Sequence, residues 1–325
     1  MRFFVLLAFL LAPVTVWASC GTDLRATLSA DQNSEITSRI TGQPYGVGNH
    51  WTATKGTRTL NIIGTMHIDD PRMDALADRL RGVVEAADHL LVEATEEDQK
   101  ALERKIATNP NLAFLTGETL IDLMPPEEWA DLAAAAAERG IPSFMAAKFQ
   151  PWYLSLILSL SPCTVRDVAA GAHGLDHRLM QIAQAAEVPM QSLEPATTLF
   201  DLFSNDPIEE QIALLRLGVL PQDLAENATT TLKEQYFEED ILEGLETSRV
   251  ITRPAVDLPP AEFDVIYDEF MDLLLRQRNE KWMAPIEAAQ GDRIVIAAGA
   301  LHLGGEHGIL NMLEQRGYTL QRQPF

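Results

Sequence analysis

Two kinds of hydrophobic pattern alternate near the start of the chain, and one of them returns near its end. Continuous apolar runs at 59–63, 88–93 and 293–298 are typical of buried strands, and the first and third run directly into glycine. Between the first two runs, apolar residues recur at helical spacing over 73–87. This order of strand, helix and strand predicts a βαβ unit, in which the two strands are parallel.

The middle of the chain has a different pattern. Over about 96–290 the apolar residues mostly keep a helical period, as in 127–139 and 262–289, without an internal repeat or a low-complexity linker. Weaker strand patterns occur at 188–194 and 317–320. We therefore predict an α/β fold: a mixed or parallel sheet formed by the N- and C-terminal parts of the chain, flanked by helices, with a long helical insertion between them.

Composition and charge narrow the class of protein. The chain has 325 residues, of which 46% are hydrophobic, so it can bury a sizeable core. Its 25 Lys and Arg against 47 Asp and Glu give a formal charge of −22 without any basic run. This argues against nucleic acid or anionic lipid as a partner, because phosphate binding needs clustered cations. Two cysteines are too few for a disulfide scaffold or a cysteine-based zinc finger.

The N-terminus predicts export. A short positive start precedes the apolar stretch 3–17, which is too short for a spanning helix of about 20 residues and typical of a signal peptide. Small residues then favour cleavage after Ala18 or Ser19, so residues 1–19 are the expected signal peptide. Residues 20–325 form one mature domain without a transmembrane span. We expect a periplasmic or secreted protein.

Cys20 leaves three interpretations open. The residues before it resemble the end of a bacterial lipobox, which would place a lipid on Cys20 and make the chain an outer-membrane lipoprotein, although Trp17 stands where Leu or Val is usual. In an oxidising compartment Cys20 would instead form a disulfide with Cys163. The third interpretation, two unpaired buried thiols, is less compatible with export.

Three side chains able to bind a metal stand directly after the predicted strands. His67 follows Gly64 by three residues, Glu93 ends the second strand, and His302 follows Gly299 by three residues. If these strands are parallel, all three side chains emerge at the carboxyl edge of one sheet, where α/β proteins bind ligands. Two histidines and one carboxylate leave a position for water on a divalent zinc, manganese or cobalt ion. The sequence thus predicts a hydrolytic metal site, in which Glu93 is a ligand or a base.

Other polar residues are candidates for supporting positions around this metal. They are Asp69, Asp70, Glu194, Glu306 and His307. A neighbouring carboxylate could act as a base or orient a ligating histidine, whereas His307 could compete as a ligand. Helix capping explains Glu194 almost as well. His173 and His177 are four residues apart, but glycines interrupt their helix, so we interpret them as surface or structural residues.

The motifs around these residues resemble those of the TraB/GumN family, whose relatives include the Tiki membrane proteases. The matching stretches are 64–71, 91–94, 174–176, 193–195, 278–279 and 299–305. In Tiki-like members these positions serve metal-dependent peptide hydrolysis, so the resemblance implies His67, Glu93 and His302 as the metal site. It also implies a catalytic role for Arg278 and Asn279 in stabilising an oxyanion. The implied fold is related to erythromycin-esterase-like and ChaN-like proteins.

The sequence supports more than one function for this site. The first is an exported metal-dependent hydrolase, a peptidase acting on a peptide or another small exported substrate. The alternative is a non-catalytic periplasmic protein that binds a peptide, haem or a metal ligand in the same cleft. A third is a structural envelope protein with vestigial histidines. The intact set of His67, Glu93 and His302 favours the first two.

Overall fold

A six-stranded mixed sheet forms the centre of the fold. The computed structural model describes residues 20–204 and 206–325, so the predicted signal peptide, 1–19, lies outside the described residues. The sheet has the strand order β4-β3-β5-β2-β1-β6. The strands are β1 (His50–Lys55), β2 (Arg58–Thr65), β3 (His89–Val92), β4 (Met190–Ser192), β5 (Arg293–Gly299) and β6 (Thr319–Arg322). The predicted α/β class is confirmed.

Four strands run parallel and bring their carboxyl ends to one edge. β5 pairs in parallel with both β2 and β3, and β4 extends the sheet in parallel beyond β3. β1 and β6 complete the other side by antiparallel pairing. The two strands of the βαβ unit are therefore parallel, but the late strand β5 lies between them. Because β2, β3 and β5 are consecutive in the sheet, the loops that follow them are neighbours.

β1 is the strand that the sequence pattern did not predict. Polar residues stand at most of its positions, and its burial falls from His50 and Ala53, which are buried, to Lys55, which is exposed, so it lacks the continuous apolar run of a central strand. A tight turn at Gly56, with φ of 63°, connects it to β2. The other five strands lie within a few residues of the predicted runs.

Four helices pack on the sheet and share its core. They are α2 (Met73–Glu85), α9 (Leu175–Ala185), α15 (Gln277–Ala288) and α16 (Ile309–Gln315). On α2, Leu76, Leu80 and Val84 are buried four residues apart, which is the spacing of one helical face. α9 packs against α2 in the same core. After their first residues, β3 and β5 consist of apolar residues and glycine, as expected for buried parallel strands.

The region 96–290 is largely helical, as predicted, although β4 belongs to the sheet. Its remaining α-helices are α3 (Glu96–Thr108), α4 (Leu120–Leu123), α5 (Pro126–Glu138), α6 (Ser143–Ala146), α7 (Pro151–Leu158), α8 (Pro162–Ala169), α10 (Thr198–Phe203), α11 (Ile208–Leu217), α12 (Gln222–Glu238), α13 (Ile241–Thr252) and α14 (Pro260–Met271), and α1 (Ala30–Ile40) precedes the sheet. α4 to α7 and α11 enclose a second hydrophobic core, separate from that of the sheet. Across the described residues, no helix has the length and apolar character needed to cross a membrane.

A π-helical turn interrupts the longest predicted helix. The helical pattern at 262–289 corresponds to α14 and α15, which the π-turn Asp272–Arg276 joins into one continuous helix. Arg253–Ala255 form a 3₁₀ turn, and α14 begins at Pro260, because proline is well suited to the first turn of a helix.

A disulfide joins Cys20, the first of the described residues, to α8. Cys20 and Cys163 are bonded, with their Cα atoms 6.1 Å apart and 143 residues between them in sequence. The segment that follows Cys20 also lies on α12, where the Thr22 and Leu24 N–H groups donate to the Asn227 and Thr231 side chains. A bonded sulfur cannot carry a lipid, so the disulfide and lipoprotein interpretations of Cys20 exclude one another in any one molecule.

Reduction or loss of this bond is expected to destabilise the fold. Cys20→Ser/Cys163→Ser should lower the free energy of unfolding by about 2–4 kcal/mol, because the unfolded chain gains the freedom of an open loop. Urea denaturation of the variant and of the oxidised parent measures this difference. In the parent, an alkylating reagent should label neither cysteine before reduction and both after it. Labelling of Cys163 alone without reductant would indicate that the bond is absent.

Candidate active site

His67, Glu93 and His302 meet at the carboxyl edge of the parallel strands. His67 lies two residues beyond β2, Glu93 directly follows β3, and His302 ends the 3₁₀ turn Ala300–His302 after β5. His67 Nε2 is 3.7 Å from Glu93 Oε1, and both residues line a cleft of about 180 Å³. Parallel pairing of β2 and β3 with β5 therefore brings together the three residues that the sequence singled out.

Glu93 is held in its charged form. Its Oε1 accepts the Gly299 N–H at 2.8 Å, and its Oε2 accepts from Arg278 Nη2 at 2.6 Å. Burial alone would raise the pKa of this carboxyl, but the imidazoles of His302 and His67, the Arg278 guanidinium and the backbone N–H favour the anion, and the pKa falls to about 2. A Cβ atom on Gly299 would lie 3.2 Å from Glu93 Oε1, so the glycine at the strand exit makes this close approach possible.

The buried guanidinium of Arg278 connects the site. Two carboxylates surround it: its Nε and Nη2 donate to Glu194 Oε1 at 2.9 and 2.6 Å, and Nη2 also donates to Glu93. Its Nη1 donates to the Leu274 carbonyl at 3.2 Å and faces His302 Nε2 at 3.2 Å. All five N–H groups of the arginine are thereby used. Arg278 therefore has no free donor for an oxyanion in this arrangement.

Asn279 fixes the tautomer of His302. The Asn279 Nδ2 donates to the carbonyls of His302 and His307 at 3.1 and 2.9 Å, which turns its Oδ1 toward His302 Nδ1 at 2.7 Å. His302 Nδ1 must then carry the proton, and Nε2 presents a lone pair. Burial lowers the pKa of His302 to about 3, so the ring is neutral at pH 7. Asn279 therefore positions His302, and both N–H groups of its amide are engaged by backbone carbonyls in this arrangement.

His67 is the more accessible imidazole. Its side chain is 62% exposed, and its Nδ1 lies 3.2 Å from Asp176 Oδ1 on the first turn of α9. Desolvation in the cleft opposes the charged ring, but Asp176 and Glu93 outweigh it and raise the pKa of His67 to about 9. His67 therefore carries a proton at pH 7 when nothing else binds it.

The residues of this cleft fall within one recognised family. A profile of the TraB/PrgY/gumN family matches residues 49–322, which include every side chain described above. The chain belongs to this family. Its relatives include "Uncharacterized protein YbaP" of Escherichia coli (strain K12), which is 27% identical over 275 residues, or 82% of this chain and 94% of the relative. The protein of the same name from Shigella flexneri matches to the same extent.

Of the supporting residues expected from the sequence, Glu194 lines the same cleft as His67 and Glu93. Asp69 pairs with Arg178 at 2.8 Å, and Asp70 pairs with Arg72 at 2.8 Å and Lys233 at 3.4 Å, so both carboxylates bind other cations. The side chains of Glu306 and His307 line a separate cleft. His173 and His177 stack on each other with ring centres 3.9 Å apart, in a depression that also borders His67.

Three contributors to the site were not predicted as site residues. Asp176 orients His67, and Trp282 donates from Nε1 to Glu194 Oε2 at 2.8 Å while its ring lies 4.3 Å from that of His302. Thr65, the last residue of β2, lines the cleft, and its buried hydroxyl has no hydrogen-bond partner among the described residues. Asp176 had a signal, because it lies in a stretch, 174–176, that resembles the family.

The donors of this cleft suit a divalent metal in their chemistry. His302 Nδ1 is hydrogen-bonded to Asn279 Oδ1, as in ligating histidines, whereas His67 Nδ1 has only the charge contact with Asp176 Oδ1 at 3.2 Å. With both rings neutral, Asp176, Glu93 and Glu194 against Arg278 give 1 − 3 = −2, which a divalent cation would balance. Within the described chain, however, no three such donors converge on one point. Arg278 stands between His302 and Glu93, so metal binding requires it to release His302.

The close contact of α9 with the His67 loop gives a stability prediction. A Cβ atom on Gly174 would lie 2.0 Å from the Met66 carbonyl oxygen and 2.6 Å from the His67 backbone. Gly174→Ala should therefore lower the free energy of unfolding by about 1–3 kcal/mol. Gly82→Ala is the matched control on α2, where a Cβ meets nothing within 4 Å, and it should raise stability by up to about 1 kcal/mol. Urea denaturation of both compares them, and equal effects would contradict the prediction.

Proposed function

We propose that this chain is an exported metal-dependent hydrolase that acts on peptide bonds. The observation that carries the proposal is the arrangement of His67, Glu93 and His302 at one edge of the sheet, with the His302 imidazole oriented through Nδ1. The remaining nitrogen of His67 lies 3.7 Å from Glu93 Oε1 at the cleft, and that of His302 faces Arg278 Nη1 at 3.2 Å. Membership of the TraB/PrgY/gumN family over residues 49–322 supports the same assignment.

His67, Glu93 and His302 would hold the metal. Glu93 serves as a ligand rather than a general base, because a carboxyl with a pKa of about 2 is too weak a base for efficient proton abstraction near pH 7. Glu194 keeps Arg278 in place when His302 is released, since it holds two of the guanidinium nitrogens. A divalent metal bound here would lower the pKa of water toward neutrality and polarise a carbonyl group. The Thr65 hydroxyl is available for a substrate oxygen or amide.

Two features support export to an oxidising compartment. The apolar stretch 3–17 and the small residues before Cys20 have the pattern of a signal peptide. The Cys20–Cys163 disulfide is of a kind that persists in the periplasm or outside the cell and is rare in the cytosol. A periplasmic or secreted hydrolase accommodates both features.

One observation favours a second function, a non-catalytic binding protein using the same cleft. Every N–H of Arg278 and every polar group of the Asn279 side chain is satisfied within the protein. Glu93 is a weak base, and His67 is protonated. A cleft with these properties is suited to binding a peptide without turnover, because it lacks a general base of suitable pKa.

Metal content is the decisive measurement. The mature chain, 20–325, dialysed against zinc, manganese or cobalt, should retain about one tightly bound ion, as expected for a three-ligand site. His67→Ala and His302→Gln should lose it, and the glutamine keeps most of the volume of the buried His302. His307→Ala is the matched control, because this histidine lies in another cleft and should leave the ion bound.

The loaded protein should then hydrolyse members of a mixed peptide library, and neither metal-free variant should. Full metal content in His67→Ala would show that the ligand assignment is wrong. Metal binding without hydrolysis of any peptide, together with saturable peptide binding, would instead support the non-catalytic function.

A further inference from the structure

A second cavity, mostly apolar, lies among the insertion helices. Its volume of about 240 Å³ exceeds the roughly 150 Å³ of an apolar cavity that binds benzene. Its lining includes Leu217, Leu232 and Met271, which are only half-buried. Apolar surface of this kind gains free energy when a ligand removes it from water. The cavity therefore suits an apolar chain.

An acidic groove adjoins this cavity. The groove has a volume of about 670 Å³, and it is adjacent to the cavity, because Leu214 and Phe270 line both spaces. Glu210 on α11 and Glu269 on α14 line the groove and are exposed. In the described part of the chain neither carboxylate forms an ion pair. The apolar cavity thus adjoins a groove in which Asp206, Glu210 and Glu269 have no cationic partner among the described residues, and this negative charge complements a cationic group.

The buried amide oxygen of Gln211 in this groove favours a cation that carries N–H donors. Gln211 lines the groove but is only 6% exposed, and its Nε2 donates to the Asp206 carbonyl at 2.9 Å. Its Oε1 is buried and has no hydrogen-bond partner among the residues described. A buried acceptor without a donor costs free energy, which a ligand carrying N–H groups would recover. A primary ammonium group has three such donors and the required positive charge.

We propose that the cavity and the groove form one binding site for a small amphiphile that has a single apolar chain and a primary ammonium group. The chain occupies the cavity, and the ammonium group meets Glu210, Glu269 and Gln211 Oε1. The formal charge of −22 attracts such cations to the protein. The cavity also contacts Ile68, the residue after His67, so the bound chain lies beside the loop of the polar cleft. This assignment does not depend on hydrolytic activity.

Calorimetric titration with decylammonium tests the site, using the full mature chain with its disulfide intact and ligand below its micelle concentration. We expect about one molecule bound per chain, about tenfold more tightly than decanol, because two ion pairs are added. Decanoate should bind more weakly than decanol. Decyltrimethylammonium should bind more weakly than decylammonium, because it has the charge but no N–H donor for Gln211 Oε1.

Two kinds of variant test the ammonium group and the apolar chain of the ligand separately. Glu210→Gln/Glu269→Gln should remove most of the advantage of decylammonium over decanol while decanol binding stays unchanged. Glu97→Gln/Glu118→Gln is the matched control, with the same charge change at exposed positions away from the groove, and should leave that advantage intact. Ala228→Leu narrows the cavity and should weaken all the ten-carbon ligands alike.

Equal affinities for decylammonium, decanol and decanoate would overturn the proposal. An equal loss of the preference for decylammonium over decanol in both double variants would also overturn it, because the preference would then depend on the overall charge of the protein. Binding of a basic peptide by a chain that does not bind decylammonium would also overturn it, and would assign the groove to peptides.

Discussion

The buried charge of Arg278 is the constraint on which the site depends. Its side chain is 7% exposed, and a guanidinium is stable in such a place only when carboxylates compensate it and each N–H finds an acceptor. Glu93 and Glu194 supply the compensation from just beyond β3 and β4, and His302 supplies an acceptor after β5. Arg278, from α15, therefore contacts residues that follow three neighbouring strands of the sheet, β4, β3 and β5. The tautomer of His302 and the ionised state of Glu93 both follow from this arrangement.

The strand ends were predictable because their signals are local. His67, Glu93 and His302 each follow an apolar run directly or after a glycine, and parallel pairing then places such residues at one edge of a sheet. The order of the strands was harder to obtain, because β5 enters between β2 and β3 from more than 190 residues away. No pattern in the sequence of these strands indicates that β5 lies between β2 and β3. β1 was missed because its sequence is mostly polar, and its place in the sheet comes from pairing with β2 and with the distant β6.

The supporting residues depend on packing between distant elements. Asp176 reaches His67 because α9 begins against the loop after β2, and Trp282 reaches Glu194 because α15 covers the ends of β3 and β5. Asp69 and Asp70 are closer to His67 in sequence, yet nearby arginines hold them elsewhere. Closeness in sequence therefore does not bring Asp69 or Asp70 to the His67 ring, whereas the packing of α9 brings Asp176 there. The fully used donors of Arg278 and Asn279 could be recognised only from the complete hydrogen-bond network.

The π-turn Asp272–Arg276 connects the course of α14 to the position of Arg278. A π-turn contains one residue more than the α-helix around it would need. Each residue of an α-helix advances the side chains by about 100° around the axis, so deleting one residue here would swing Arg278 by about that angle relative to α14. The guanidinium would then leave Glu93 and Glu194. The length of this turn, down to a single residue, thus sets the direction from which a positive charge enters the cleft.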